Sequence, residues 1–419
     1  MSHPKIAIIG AGPGGCMLAR LLHQSSIPCT IFEGETSINY RSQGGTLDLR
    51  STTGLAAVKA AGLWEQFLQH ARYDGESLLL TDKDLTTWLR RSPGTKDKHN
   101  NLEEAPEIDR TILRKILIES VPADYVKWGW KLASVQMTAS SGLELSFANG
   151  ETLLDYDLVV GADGAWSKTR TFLSQDKPHY SGLGGWTMQI TNAKERAPEA
   201  YKFVNRGSVF AFSDGKSLLG QQLGTGTIDV AHYGPYQEDF TSNCGFDSGD
   251  LDASRKFILE NLNDWAPQLK QLVESADEGP VWRNLYELPV GWTWPHKKGV
   301  TLLGDAAHLM TPFAGIGVNS AFYDAMMLAE QITACSKSGK PANLDSYIVQ
   351  YEKAMFENAH PAQALTEGSK NDMFFTPGAP RTAIESWILR RLKEKVPSWA
   401  HPLLAAFVHT GYWIYKRFV

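Results

Sequence analysis

Three glycines and one carboxylate near the amino terminus have the types and spacing of a dinucleotide-binding site. Gly10, Gly12 and Gly15 follow the apolar run KIAII, and Glu33 ends the next apolar run, CTIFE, 18 residues beyond Gly15. The first glycine permits a tight turn, the second leaves room for phosphates, and the third lets the next helix pack closely on the strand. Glu33 is placed to accept a hydrogen bond from a ribose hydroxyl. We therefore predict a βαβ unit that holds a dinucleotide pyrophosphate, the alternative being an ordinary βαβ unit with a glycine-rich turn.

Other patterns that carry chemistry are missing from the sequence. It shows no convincing Ser/His/Asp triad, no HExxH motif and no clustered metal ligands. His308, three residues after Asp305, is interpreted as structural. We therefore predict no catalytic side chain and no metal site, so that a bound cofactor carries the chemistry.

Composition limits the class of protein. A chain of 419 residues with 42% hydrophobic content can bury a large core and is expected to form two structural units. A net charge of −5 disfavours nucleic acid as a partner. The four cysteines lack CxxC spacing, which predicts buried thiols in a reducing, cytoplasmic compartment. The sequence contains no stretch of about 20 apolar residues, so we predict no membrane-spanning helix.

The elements that must position these residues alternate between two patterns. Strand–turn–helix signals occur in residues 1–75, 101–178 and 285–345, which we predict to form one discontinuous dinucleotide-binding domain. Residues 76–100 and 179–284 are rich in short strands, including WTMQI, YKFV, SVFAF, LLGQQL and TIDVAHYG. We predict that they form a β-sheet domain that binds the substrate, whereas residues 346–419 form a helical region.

Two further motifs make the dinucleotide signal specific. LVVGADGAWSKTR occupies residues 158–170 and LLGDAAHLMTPFAGIGVN occupies residues 302–319. Together with the amino-terminal glycines, they resemble the single-component FAD-dependent aromatic hydroxylases, which are flavoprotein monooxygenases. Within that family, GGTLDLRSTTG, PEIDRTILRKIL and the second motif look most like the tetracycline-inactivating monooxygenases. The resemblance implies an α/β fold with a Rossmann-like FAD-binding domain, a β-rich substrate domain and a C-terminal helical region.

The resemblance also implies which residues contact the cofactor. Asp305 would accept from ribitol hydroxyls, and the helix that opens near Gly317 would direct its amide groups at the flavin. Gly34 stands where many relatives carry arginine, and Arg41 or Arg50 is expected to compensate. The residues implied to bind FAD are Gly10, Gly12, Gly14, Gly15, Glu33, Arg41, Arg110, Arg114, Asp163, Asp305, Pro312, Gly315, Gly317 and Val318.

The implied reaction is the hydroxylation of an aromatic or enolic polycyclic molecule, such as a polyketide or a tetracycline-like compound. NADPH or NADH would reduce FAD after binding transiently, because only one nucleotide fingerprint exists, and O2 would react through a flavin C4a-hydroperoxide. Two alternatives stay open: a flavin-dependent oxidase or cyclase on the same scaffold, and a non-catalytic flavin-binding redox sensor. The residues implied to contact the substrate are Gln189, Arg206, His232, Phe313 and Met373.

The carboxyl-terminal segment RRLKEKVPSWAHPLLAAFVHTGYWIYKRFV has basic ends and an aromatic, uncharged centre. Such a segment can form an interfacial helix on a membrane. Packing across a domain boundary is favoured instead, because Pro402 and Gly411 are expected to interrupt its helical pattern. We predict a monomer or a weak dimer.

Overall fold

A computed structural model describes residues 3–38, 45–92, 105–138, 142–340 and 343–419 of the chain. The strands, in chain order, are β1 (Ile6–Ile9), β2 (Cys29–Glu33), β3 (Thr46–Asp48), β4 (Leu78–Thr81), β5 (Thr87–Arg91), β6 (Glu107–Asp109), β7 (Val126–Trp128), β8 (Leu132–Met137), β9 (Leu143–Phe147), β10 (Thr152–Leu154), β11 (Leu158–Gly161), β12 (His179–Ile190), β13 (Ser208–Ser213), β14 (Lys216–Gln222), β15 (Ile228–Gly234), β16 (Glu278–Glu287) and β17 (Val300–Leu302).

The helices, in chain order, are α1 (Pro13–Gln24), α2 (Gly54–Ala60), α3 (Trp64–Leu68), α4 (Arg110–Glu119), α5 (Arg170–Leu173), α6 (Ala193–Arg196), α7 (Pro198–Val204), α8 (Phe240–Asn243), α9 (Leu251–Asn261), α10 (Pro267–Glu274), α11 (Asp305–His308), α12 (Gly317–Lys337), α13 (Leu344–Lys370), α14 (Ile384–Lys393) and α15 (His401–Tyr415). A π-helical turn, Asn371–Phe375, directly follows α13. These elements confirm the predicted α/β class.

The chain forms two compact units. Unit 1 consists of Met1–Ala71, His99–His179 and Tyr286–Ala364, and unit 2 consists of Arg72–Lys98, Tyr180–Leu285 and Leu365–Val419. These ranges describe compactness alone, so the division into cofactor, substrate and helical regions stays a prediction.

Unit 1 contains a parallel sheet in the order β17-β11-β1-β2-β7. Its strands are short apolar runs, and β1, β11 and β17 are completely buried, as is typical of parallel sheets. In the register of this sheet, Ile9 lies beside both Gly161 and Phe32, and Gly161 lies beside Leu302. The loops that follow four strands therefore meet at one edge of the sheet, which is where α/β proteins bind ligands.

Unit 2 contains a seven-stranded sheet in the order β16-β12-β15-β14-β13-β4-β5. The pairing of β13 with β4 is parallel, whereas β12, β15, β14 and β13 pair antiparallel with one another. One face of this sheet forms an apolar core with residues of α7, α9 and α10, and Trp186 lies at its centre with no exposed surface. The β-rich part predicted from the strand pattern is confirmed.

Three local predictions were wrong. YKFV forms the end of α7 rather than a strand, because Pro198 opens a helix and places Ala200 and Val204 one turn apart against the core. Cys244 is half-buried, unlike the other three cysteines. Pro402 and Gly411 do not interrupt α15, since proline lies in the first turn, where its missing N–H costs nothing. Within the described ranges, no helix is long and apolar enough to cross a membrane.

Candidate functional site

The glycine turn after β1 shows why each glycine is present. Gly10 has a φ of +106°, and a Cβ there would lie 2.5 Å from the carbonyl oxygen of Ala162. A Cβ on Gly15 would overlap the carbonyl oxygen of Gly10, and one on Gly14 would lie 2.8 Å from a methyl of Leu303. A Cβ on Gly12, by contrast, would meet nothing within 4 Å. Three of the glycines serve packing, and Gly12 borders open space.

That open space lies at the amino terminus of α1, for which Gly12 is the N-cap. Helix amino termini carry unpaired N–H groups and a positive potential that favours phosphate. Gly317, at the start of α12, likewise borders open space, since a Cβ there would meet nothing within 4 Å. Unit 1 therefore presents two helix amino termini at which an added Cβ would meet nothing within 4 Å, and this arrangement fits a pyrophosphate and a second group that carries negative charge.

Glu33 lies at the end of β2, where it fastens the glycine turn. Its Oε2 accepts from the backbone N–H of Ala11 at 2.6 Å, and its Oε1 accepts from the backbone N–H of Glu35 at 2.9 Å. A carboxylate has about four acceptor positions, so each oxygen can still accept from a ribose hydroxyl. Arg114 forms an ion pair with the neighbouring acid Glu35 at 2.8 Å.

The loop after β11 is organised by Asp163. Its carboxylate accepts from the Ser167 hydroxyl at 2.6 Å and from the backbone N–H groups of Lys168 and Thr169 at 2.8 and 3.1 Å. Burial raises the pKa of Asp163, and these hydrogen bonds oppose the shift. The observed role of this side chain is to hold its own loop, and its predicted contact with FAD stays a prediction. Gly164, with a φ of +74°, borders open space.

Arg170 joins that loop to the segment after β17, and the sequence analysis missed it. The guanidinium is buried and donates to the carbonyl oxygens of Ala165 at 2.5 Å and Ala306 at 3.0 Å. A third, longer contact of 3.4 Å reaches the carbonyl oxygen of Asp305. Because arginine presents five N–H donors in a rigid fork, one side chain can hold both segments in register. Its position at the end of the motif 158–170 is the sequence signal that could have identified Arg170.

Asp305 begins α11 and is open to solvent, although protein surrounds it closely enough that desolvation raises its pKa. The positive charges of His308, Arg110 and Arg170 oppose this shift. A carboxylate that is accessible yet surrounded by protein suits hydrogen bonding to a polyol. Arg110, the first residue of α4, is thus close enough to act on Asp305 electrostatically, whereas Arg114 pairs with Glu35.

His308 is a structural anchor, as interpreted from the sequence. Its Nε2 donates to Asp324 of α12 at 2.6 Å, and the same carboxylate oxygen accepts from the backbone N–H of Gly304 at 2.9 Å. Burial lowers the pKa of His308, but the carboxylates of Asp324 and Asp305 and a backbone hydrogen bond together outweigh burial and leave the pKa raised. Two buried atoms in this stretch, His308 Nδ1 and Thr311 Oγ1, have no hydrogen-bond partner among the described residues.

The loop between α11 and α12 is accessible. Asn319, in the first turn of α12, fixes it to the segment after β3. The sequence analysis did not single out this residue either. Asn319 is buried, accepts from the backbone N–H of Arg50 at 2.8 Å and donates to the carbonyl oxygen of Asp48 at 2.8 Å. Arg50 in turn donates to the carbonyl oxygen of Ala314 at 3.1 Å. Arg50 therefore supports this loop, and its compensation for the missing arginine at position 34 stays a prediction. Five implied cofactor or substrate residues lie along the loop with partly or fully exposed surfaces, namely Pro312, Phe313, Gly315, Gly317 and Val318.

Arg41, implied to contact the adenine side, lies outside the described residues.

In unit 2, the substrate residues predicted from the sequence are not brought together. Gln189 pairs across the strands with Asp229, and its amide donates to that carboxylate at 2.7 Å. His232 pairs with Trp186, three positions away along β12, so Gln189 and His232 point to opposite faces of the sheet.

His232 has no accessible atom in this structure. Its Nδ1 donates to the carbonyl oxygen of Ser217 at 2.9 Å, and its Nε2 lies 2.8 Å from the Tyr236 hydroxyl. Burial lowers its pKa to about 4, so it is neutral and accepts the tyrosine proton. Arg206 is exposed and pairs with Asp74 at 2.6 Å, and Met373 is buried. Their contact with a substrate stays a prediction.

Comparisons with known proteins agree with this geometry. A family model described as an FAD binding domain matches residues 4–355. Monooxygenase penA of Penicillium thymicola is 32% identical over 86% of this chain and 93% of its own length. Monooxygenase asqM of Emericella nidulans is 32% identical over 86% of this chain and 94% of its own length.

Solved structures share the fold. Klebsiella pneumoniae HpxO complexed with FAD and uric acid superimposes with a TM-score of 0.74 at 18% identity, with 97% of each chain covered. Tetracycline destructase Tet(51) superimposes with a TM-score of 0.64 at 19% identity, with 99% of this chain and 97% of the other covered. At these identities the likeness concerns the fold alone.

Proposed function

Since the chain belongs to the FAD binding domain family and is an FAD-dependent monooxygenase, we propose that it uses NAD(P)H and O2 to hydroxylate an aromatic or enolic polycyclic small molecule. The observation that carries the proposal is the pair of helix amino termini at Gly12 and Gly317, which border open space in one unit. A flavin dinucleotide has one group for each of them, a pyrophosphate and a ring that carries negative charge around N1 and O2 when it is reduced.

The proposed roles of the residues follow from their places. The amide groups at the start of α1 would hold the pyrophosphate, and Glu33 would accept from the ribose. Asp305 would accept from the ribitol chain, and the start of α12 would favour negative charge on the ring. When bound, FAD supplies the redox chemistry, taking reducing equivalents from NAD(P)H and activating O2.

Arg170, His308 and Asn319 would act as positioning residues. Arg170 holds the loop after β11 against Ala306, and His308 holds the backbone around Gly304 through Asp324. Asn319 fixes the start of α12 to the segment after β3. The proposed role of these three side chains requires no contact with the cofactor. Their contribution would be to keep the accessible groups within the small tolerance that catalysis requires.

The class of substrate is supported by the motifs and by named relatives. A 3-amino-4-hydroxybenzoate 2-monooxygenase of Streptomyces cremeus is 24% identical over 83% of this chain, and an FAD-dependent urate hydroxylase of Mycolicibacterium vanbaalenii is 26% identical over 85%. Both names describe planar, electron-rich rings. Such a ring is the nucleophile that accepts an electrophilic oxygen atom, which is why we extend this class to the present chain.

Substrate-stimulated oxidation of NADPH and NADH, measured over a panel of phenols and aromatic polyketides under 18O2, tests the proposal. We expect one labelled oxygen atom in the product for each NAD(P)H consumed. Product formed without NAD(P)H would identify an oxidase or cyclase, and no stimulation across the panel would favour a non-catalytic flavin protein.

A matched pair of variants links activity to the site. Gly12→Ala and Gly411→Ala each add one methyl group where nothing lies within 4 Å. We expect Gly12→Ala to lower turnover with subsaturating FAD, whereas Gly411→Ala leaves it unchanged. Equal turnover in both variants would contradict the assignment of the α1 amino terminus to the cofactor.

A further inference from the structure

The last helix, α15, is fixed to unit 2 by one face only. Val408 is buried, and the hydroxyls of Tyr412 and Tyr415 donate to the carbonyl oxygens of Trp88 and Thr87 at 2.6 and 2.5 Å. Lys416 adds an ion pair with Glu385 at 2.6 Å. These contacts determine which face of the helix is turned away from the unit.

The face turned away is apolar, and we call its large residues the aromatic stripe. Successive members are four or seven residues apart, which places them along one side of the helix and its ends. Four of them are among the most exposed large apolar side chains of the described residues. The stripe consists of Trp399 (76% exposed), Leu403 (70%), Phe407 (78%), Ile414 (48%) and Phe418 (83%). Contiguous exposed apolar surface of this kind marks an interaction site.

The charge around the stripe indicates what covers it. Residues 381–419 contain seven Lys and Arg against two Asp and Glu, whereas the rest of the chain contains 34 against 44. Two ion pairs take up part of this charge, Lys416 with Glu385 and Arg390 with Asp372, and the segment stays positively charged. The positive segment therefore belongs to an otherwise acidic protein, which indicates a negatively charged partner.

Positive charge lies at both ends of the stripe. The ring nitrogen Nε2 of His401, the first residue of α15, donates to the backbone carbonyl of Lys393 at 3.1 Å, so this exposed lysine lies beside the beginning of the helix. At the other end, the guanidinium of Arg417 lies 3.8 Å from the centre of the exposed Trp413 ring. Tryptophan beside arginine or lysine is typical of the boundary between lipid headgroups and acyl chains.

A second copy of this chain fits the stripe less well. A symmetric dimer would place the same patch against itself, which would bring two positively charged segments together. We propose that the aromatic stripe inserts into the headgroup region of an anionic membrane, with Lys393 and Arg417 binding lipid phosphate and carboxylate groups. The helix lies on the membrane and does not cross it.

Co-sedimentation of the FAD-loaded full chain with vesicles tests this proposal. One set of vesicles contains phosphatidylcholine alone, and the other also contains phosphatidylserine. We expect binding to the anionic vesicles that decreases as salt is added, because surface charges are screened. Failure of the wild-type chain to sediment with anionic vesicles overturns the proposal.

A pair of matched variants identifies the surface. Leu403→Glu/Phe407→Glu places two charges on the stripe, and Met137→Glu/Leu154→Glu places two charges on exposed apolar residues of unit 1. We expect the first to lower vesicle binding at least about tenfold and the second to leave it unchanged. The single variant Phe407→Glu serves if the double variant does not retain FAD. Unchanged binding by the stripe variants overturns the proposal.

The charge requirement is measured separately. Lys393→Gln and Arg417→Gln should each lower binding to anionic vesicles about fivefold and leave binding to neutral vesicles unchanged. Light scattering reports the remaining outcome. A dimer that the stripe variants convert to a monomer, without any vesicle binding, would assign the stripe to a second copy of the chain. Vesicle binding and turnover are measured in separate experiments. A failure of the membrane proposal can therefore be distinguished from a failure of the proposed monooxygenation.

Discussion

Units 1 and 2 use their polar groups in different ways. In unit 1, the groups suited to a ligand lie in loops at the ends of parallel strands, where Gly12 and Gly317 leave helix amino termini open. In unit 2, polar side chains within a sheet bind groups of the same unit: His232 binds the backbone carbonyl of Ser217 and the Tyr236 hydroxyl, and Gln189 binds the Asp229 carboxylate. Loops after strands thus keep donors available for a cofactor, whereas a sheet satisfies its own polar groups first.

The largest effect is expected at the packing glycines of unit 1. Gly15→Ala adds a Cβ that overlaps the carbonyl oxygen of Gly10, so α1 must move away from β1. We expect the free energy of unfolding to fall by more than about 3 kcal/mol. Chemical denaturation measures it, and a stability equal to that of Gly411→Ala would contradict the packing role.

A comparable experiment in unit 2 tests whether His232 belongs to the core. His232→Leu leaves the carbonyl oxygen of Ser217 and the hydroxyl of Tyr236 without their partner, which should cost about 2–3 kcal/mol. Gln189→Ala, on the other face of the sheet, should cost less than about 1 kcal/mol. A His232→Leu protein that is as stable as the wild type but turns over substrate more slowly would support the predicted contact between His232 and the substrate.

A smaller effect separates folding from cofactor binding in unit 1. Gly12→Ala adds a methyl group into open space, so the melting temperature of the FAD-free protein should equal that of the wild type. FAD affinity, measured by fluorescence quenching, should fall about tenfold because the methyl group would occupy the position that we propose for the phosphate. If the affinity is unchanged, the pyrophosphate does not lie at the start of α1.

The smallest effect is a difference in pH dependence between the two units. Burial lowers the pKa of His232 from 6.5 to about 4, so its contribution to stability decreases as the pH falls from 6.5 towards 4. In unit 1, burial lowers the pKa of His296, but Glu352 at 2.7 Å and Asp345 at 3.2 Å outweigh burial and leave it raised. Its contribution is complete below 6.5 and is lost as the pH rises through the folded-state pKa.

Melting temperatures of the wild type, His232→Leu and His296→Gln across this pH range measure the difference. The gap between wild type and His232→Leu should narrow at acid pH, and the gap between wild type and His296→Gln should narrow at alkaline pH. Gaps that both narrow in the same direction would contradict opposite protonation states for the two histidines.

Backbone constraints were predictable from the sequence, and distant side-chain contacts were not. Gly10 and Gly12 follow a rule that acts over a few residues, and the fold and the cofactor were predicted from such motifs. Arg170 and Asn319 each end a sequence motif, but the backbone groups that they bind lie 136 and 271 residues away, so the motifs do not reveal these contacts. The opposite orientations of Gln189 and His232 depend on their positions along β12 and β15, which composition and turn signals do not determine.

The strand order of unit 1 also governs how the chain can fold during synthesis. β1 is translated well before its neighbour β11, which begins only at Leu158, and before the edge strand β17, which begins only at Val300. Until then, the apolar edge of β11 has no partner on that side and can pair with other nascent chains. We therefore expect newly made chains to need protection by a chaperone until β17 has been translated.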